Sequence, residues 1–245
     1  LLRKDSGEIS IFDQPSDSQN SRQRLGFLPE HPYFYEYLTG REFLRFSAQL
    51  CGVKTGEREK RIEALLHRVG MANRSDIKMR KFSKGMIQRI GLAHALIHDP
   101  DLVILDEPFS GLDPVGRKEL RDIITDLRTE GKSVFFSSHI IQDMELICDR
   151  VAIMLNGNIR RIGALKDMLR DTIQNIEIVF RHPQPDLIPG LQRNVVQTQD
   201  GFIMKTEESH KKQAIERLVT HNAEIVSVIP QKKNLEDLFL EELGK

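Results

Sequence analysis

The stretch Leu102-Val103-Ile104-Leu105-Asp106-Glu107-Pro108, "LVILDEP", decides how this chain is read. Four apolar residues end in two adjacent carboxylates. Pro100–Asp101 before and Pro108 after bound the run, so it reads as a short, fully buried strand. Ending a buried strand in two acids is costly unless the acids meet a cation or take part in chemistry. The chemistry that suits such a pair is nucleotide hydrolysis. In a nucleotide hydrolase the first acid of such a pair faces Mg2+, usually through its water shell, and the second polarises the attacking water. Such a site needs a glycine-rich, phosphate-cradling loop with a Lys-Ser/Thr pair. No such loop occurs in the 245 residues.

Outward from this strand, the pattern downstream is strand, helix, strand, helix, strand. "PFSGLDP" leads to a helix from Pro114 to about Glu130, with Pro at its first position and Gly131 past its end. "SVFFSS" (133–138) is a strand, Ile140–Cys148 a helix, and "RVAIMLNGNIRRIG" (150–163) a hairpin around Asn-Gly. That alternation is the signature of an α/β core with a largely parallel sheet.

Upstream, "SGEISIFD" (6–13) suggests a turn and a strand, 14–24 a loop or short helix, and "RLGFLPE" (24–30) a second strand. Three helices follow. Phe43, Leu44, Phe46 and Leu50 recur at near-helical spacing, 57–70 is amphipathic and closed by Gly70, and 82–100 has Ser83 as a candidate cap. They read as an insertion in the α/β core. After Gly163 a short helix leads to a second region: a strand at 176–180, a Pro-rich loop, a hairpin around Asp200-Gly201, a helix, a strand, and a final helix that Asn234 can cap.

Composition sets limits. A chain of this length can bury a sizeable core as one large domain or one plus a small one. Lys and Arg balance Asp and Glu, so no basic excess is available for nucleic acid as the main partner. Cys51 and Cys148 are far apart and in no metal-ligand spacing, which fits a reduced, cytosolic compartment. No apolar run approaches a membrane span and no signal peptide is visible, so any membrane role runs through a partner. The chain starts at Leu1 rather than Met, the start expected of a piece of a longer protein or of a processed or engineered one.

Four short elements, in one order, resemble the ATP-binding cassette (ABC) ATPases over roughly residues 1–163. "FSKGMIQR" (82–89) is similar to the signature usually written LSGGQ, with Ser83 and Gly85 at its serine and second glycine and Lys84 and Met86 departing from it. A helix N-terminus there, with free N–H groups and a hydroxyl, suits a γ-phosphate. "LVILDEP" matches Walker B, which implies Asp106 holding Mg2+ through water and Glu107 as general base. "SGLD" (110–113) matches the D-loop, although Asp113 before Pro114 is also an ordinary helix cap. His139 matches the switch histidine, able to donate to a γ-phosphate oxygen. Besides these four, "GFLPE" (26–30) aligns with the Q-loop, Glu30 standing where many members have glutamine and able to accept from Mg2+-bound water.

"HPYFYEYLTG" (31–40) holds all three tyrosines, Tyr33, Tyr35 and Tyr37, at a spacing of two. An extended stretch would put them on one side, to anchor a partner or to pack on the protein's own helices. This run and the C-terminal "NLEDLFLEEL" resemble the ATPases paired with ABC-2-type exporters.

The resemblance implies a RecA-like P-loop NTPase core, incomplete without its Walker A loop, with an inserted helical subdomain (about 40–98) and a small C-terminal α+β domain. The ATPase domain would cover 1–165 and the accessory domain 172–245. It implies ATP and Mg2+ as cofactors, a second ATPase subunit (identical or not) completing each site, a transmembrane permease subunit, and a peripheral place at the cytoplasmic face of the cell membrane. The missing loop is expected just before Leu1, so the 245 residues alone are expected to be inactive and not to bind ATP tightly. Two other readings are a soluble ABC ATPase of translation or DNA repair and a non-hydrolytic regulator that kept the scaffold.

Overall fold

The structure, a computed structural model, describes residues 4–169, 173–182, 188, 195–198, 201–232 and 234–244. The chain start, most of the Pro-rich stretch, Asp200 and the expected boundary at Thr172 lie outside them. The chain divides into two compact units, Leu1–Asp143 and Met144–Lys245.

The first unit is built on a three-stranded parallel sheet in the order β3-β4-β5, with β3 at Leu25–Leu28, β4 at Leu102–Asp106 and β5 at Ser133–Ser137. Its register sets Leu28 beside Leu105 and Asp106 beside Ser137, so the carboxyl ends of β4 and β5 are level. Ahead of it, β1 (Ser10–Ile11) and β2 (Gln14–Pro15) form a minute hairpin and α1 (Gln19–Gln23) is a single turn. The strand expected over 6–13 is broken because Phe12 and Asp13 both take positive φ and turn the chain back.

The three inserted helices form as expected: α2 (Gly40–Leu50), α3 (Thr55–Arg68) and α4 (Lys84–Leu96). Thr39 and Glu42 make a reciprocal capping box on α2, and its face of Phe43, Leu44, Ser47 and Ala48 is buried. Ile62 and Leu66 of α3 and Ile90 and Leu92 of α4 complete this core, each such side chain contributing about 1.5–3 kcal/mol. α4 crosses β3 closely because Gly26 has no side chain there. After β4, α5 (Pro114–Thr129) returns to β5, capped by the side chain of Asp113 and started by Pro114.

The fully buried strand expected at "LVILDEP" is corrected by this layering. Val103 and Leu105 are sealed, whereas Leu102 and Ile104 are only half-buried. Successive strand residues face opposite sides, and in β4 the residues of one side are sealed. On the other side lies a row across the register, Phe27, Ile104 and Phe135, with Phe135 65% exposed.

The unit boundary falls inside α6 (Ile141–Ile147). The second unit holds the hairpin of β6 (Arg150–Leu155) and β7 (Asn158–Ala164), turned by Asn156 and Gly157, both at positive φ. After α7 (Leu165–Met168) comes an antiparallel sheet of β8 (Ile173–Arg181), β9 (Val195–Thr198), β10 (Gly201–Glu207) and β11 (Glu224–Lys232), ordered β11-β8-β10-β9. Ile176, Ile178 and Phe180 pack with Leu218 of α8 (Lys211–Thr220). Asn234 caps α9 (Leu235–Leu243) in a box with Asp237. No helix among the described residues is long and apolar enough to cross a membrane.

Candidate active site

The carboxyl ends of β4 and β5 bring Asp106, Glu107 and His139 into one hydrogen-bonded group. Its centre is Ser137, a residue the sequence reading passed over. Ser137 Oγ donates to Asp106 Oδ1 at 2.7 Å and accepts from the Glu107 backbone N–H at 3.0 Å. Two residues on, His139 Nδ1 donates to Glu107 Oε2 at 2.7 Å. The Glu107 side chain is largely covered, whereas His139 is open to solvent. Glu107 sits at φ 47, a conformation uncommon for a residue with a side chain. Two residues on, Phe109 is buried edge-on against Phe136 and anchors the chain leaving the strand.

The hydrogen bond sets what the imidazole can do. A neutral ring with its proton on Nδ1 presents Nε2 as an acceptor. Donation from Nε2 to a phosphate oxygen therefore takes the doubly protonated ring, paired with Glu107, or a turn away from Glu107.

Ser83, Lys84 and Gly85 form a second group at the start of α4. Ser83 Oγ accepts from the Met86 backbone N–H at 3.3 Å, as a helix cap. Lys84 Nζ donates to Ser110 Oγ at 2.9 Å. Gly85 abuts Leu112: a Cβ on that glycine would lie 3.2 Å from Leu112 Cδ2. Asp113 accepts from the Gly116 N–H at 2.8 Å, the ordinary cap role. The segment from Asp106 to Asp113 runs between the two groups and is tightened by a bond from Ser110 N–H to the Glu107 carbonyl at 3.0 Å.

Glu30 follows β3, whose end neighbours that of β4, and its carboxylate lies 3.6 Å from His31 Nδ1. The donors at the ends of β4 and β5 are hard oxygens: an exposed Asp106 carboxylate and the Ser137 hydroxyl. No three His, Cys, Asp or Glu side chains among the described residues are placed to hold a metal by themselves. That donor set fits Mg2+, which keeps several waters and takes one or two carboxylates together with substrate phosphates.

The tyrosine run divides. Tyr33 (94% exposed), Tyr35 and Tyr37 face outward, with Tyr35 against Tyr37 and Phe46 at ring distances of 5.8 Å. Phe34 turns in against Phe43, 4.4 Å away, and His94.

Strand-end acids beside a strand-end histidine, with a capped helix and its companion loop, belong to an α/β protein whose candidate site lies at the carboxyl ends of parallel strands. The comparisons narrow this. The family described as "ABC transporter" matches residues 1–110. An uncharacterised ABC transporter ATP-binding protein of Synechocystis sp. is 37% identical across 99% of this chain and 69% of its own length. The bacitracin transport ATP-binding protein BcrA of Bacillus licheniformis is 32% identical across 100% of this chain and 81% of its own. A solved ATP-binding subunit of an ABC transporter superposes with a TM-score of 0.62 at 33% identity, over 68% of this chain and 70% of that one. The chain belongs to the ATP-binding proteins of ABC transporters.

Proposed function

We propose that this protein binds and hydrolyses ATP to drive a membrane exporter. The observation that carries the reading is the Asp106–Ser137–Glu107–His139 group at the carboxyl ends of two parallel strands, where α/β proteins place their ligands. Asp106, with Glu30, would hold Mg2+. Mg2+ would neutralise charge on the transferred phosphoryl group. Glu107 orients the attacking water and takes its proton, and His139 aligns the Glu107 carboxylate and responds to the γ-phosphate. Ser83, Lys84 and Gly85, at the positive end of α4, face the phosphate of a nucleotide held by a second ATPase subunit, and Asp113 links the two sites.

Residues 1–165 act as the ATPase domain and 172–245 as an accessory one. Export is supported by relatives named for bacitracin transport and linearmycin resistance. The exposed tyrosines give a transmembrane permease subunit an aromatic surface to dock on, at the cytoplasmic face of the membrane. The test is Glu107→Gln in the protein with a phosphate loop in place. Turnover should fall by about 10²–10⁴-fold while ATP binding is retained. Phosphate release at the wild-type rate would sink the assignment of the base.

A further inference from the structure

Lys84, where this chain departs from the usual signature, has a partner built for it in the same chain. Its ammonium donates to Ser110 Oγ at 2.9 Å, across 26 residues of sequence. Its aliphatic stem runs over Gly111. A Cβ on that glycine would lie 2.5 Å from Lys84 Cδ, 2.9 Å from Cε and 3.0 Å from Cγ. Gly111 also takes φ +75, so its backbone favours glycine, and with no side chain there the lysine stem can lie directly over it. Further along α4, Arg89 pairs with Glu119 of α5, so the helix is stitched to the loop and to the element that follows it. No carboxylate pairs with Lys84 among the described residues. Its acceptor is a neutral hydroxyl, which lacks the opposite charge that an anionic oxygen would bring to the ammonium.

We propose that Lys84 is a positioning residue and a latch: it clamps the Ser110–Asp113 loop to the start of α4 until a phosphate oxygen takes the ammonium from Ser110. The release half rests on the proposed role of α4 at a nucleotide phosphate; the clamp half does not. Arrival of nucleotide would then free the loop that joins one site to the other.

The two ends of the latch separate the effects. In the protein with a phosphate loop in place, Ser110→Ala removes the resting partner and leaves the lysine to the phosphate, so the apparent KM for ATP should fall about two- to tenfold, the worth of one exposed hydrogen bond. Lys84→Met keeps the stem but loses the charge, so KM should rise by at least as much. Amide hydrogen exchange over residues 110–112, read on this chain without nucleotide, should accelerate about two- to tenfold in both variants. Unchanged exchange in both variants would overturn the clamp. Faster exchange with KM moving in the same direction in both, or not moving in Ser110→Ala, would overturn the release. Wild-type turnover in Glu107→Gln would instead undo the reading of the site and leave the exchange result standing.

Discussion

Gly26→Ala tests the packing that carries the signature helix. Gly26 lies in β3, and its backbone has no positive φ, so alanine adopts the conformation freely. Loss of chain entropy in the unfolded state would by itself stabilise the variant by about 0.4–1 kcal/mol. The space forbids it. The added Cβ would stand 2.2 Å from the Ala95 carbonyl oxygen, 3.1 Å from its carbon and 3.0 Å from Pro100 Cγ. The first two are backbone atoms of α4 at its buried last turn, and no rotamer change relieves them. β3 and α4 must part by about 1 Å, an overpacking that costs about 1–3 kcal/mol, with the upper end expected where backbone meets backbone. The net loss of about 2 kcal/mol should lower the first unit's melting temperature by about 4–8 °C. Urea unfolding followed by circular dichroism measures it. Gly56→Ala is the control: a Cβ there meets nothing within 4 Å, and the residue sits in the first turn of α3. That variant should gain up to about 1 kcal/mol. If Gly26→Ala matched the control, β3 and α4 would not be in the contact described, and the placement of Ser83 and Lys84 through α4 would fall with it.

Two further outcomes concern titratable groups. Burial, with the His98 charge adding to it, holds the His94 imidazole below its ordinary value, and burial does the same to His98 against the opposing Leu25 carbonyl. The unfolded chain takes up these protons from about pH 6.5 downward while the folded chain resists. Stability should therefore be complete above about pH 6.5 and lost as pH falls through the folded values. His94→Gln should flatten the decline between about pH 7 and 5 in a series of urea midpoints, and a flat wild-type series would refute the burial. Carboxylates held low by partners, such as Asp99 beside Lys132, act in a lower window. The thiols give the other outcome. Burial, and then Asp149, push Cys148 up to about 11, whereas Cys51 is exposed and raised by burial alone. Iodoacetamide at pH 8 should label Cys51 well before Cys148 by mass spectrometry, and the reverse order would contradict the burial of Cys148.

What was legible in the sequence was what local spacing and end signals encode. Phe43 and Leu44, Ser83 ahead of α4, Asp113-Pro114 ahead of α5 and Gly131 behind it, and Asn156-Gly157 all behave as their types require. The acids and the histidine were legible as types at strand ends. Their connection was not. Ser137 is one serine in "SVFFSS", and nothing local marks it; only the parallel register that sets it beside Asp106 makes it the bridge. The partnership of Lys84 with Ser110 is likewise a product of packing between distant segments. The alternation of sealed and half-buried residues along β4 is set by packing, which a run of apolar letters does not report.

The geometry at Glu107 follows from a conflict between strand and site. Along a regular strand, consecutive side chains point to opposite faces, so Asp106 and Glu107 would part company. Here both reach residues at the end of β5: Asp106 through Ser137 Oγ, Glu107 through His139 Nδ1. The left-handed turn at Glu107 makes this possible, at a cost on the order of 1–3 kcal/mol for a residue with a Cβ. Three features on either side offset it: the Ser137 hydroxyl on the Glu107 N–H, the bond from Ser110 N–H to the Glu107 carbonyl, and the burial of Phe109. Glycine would remove the backbone cost but also the carboxylate. A carboxylate held at a strained turn, by neighbours that over-determine it, is the arrangement expected where position matters more than stability.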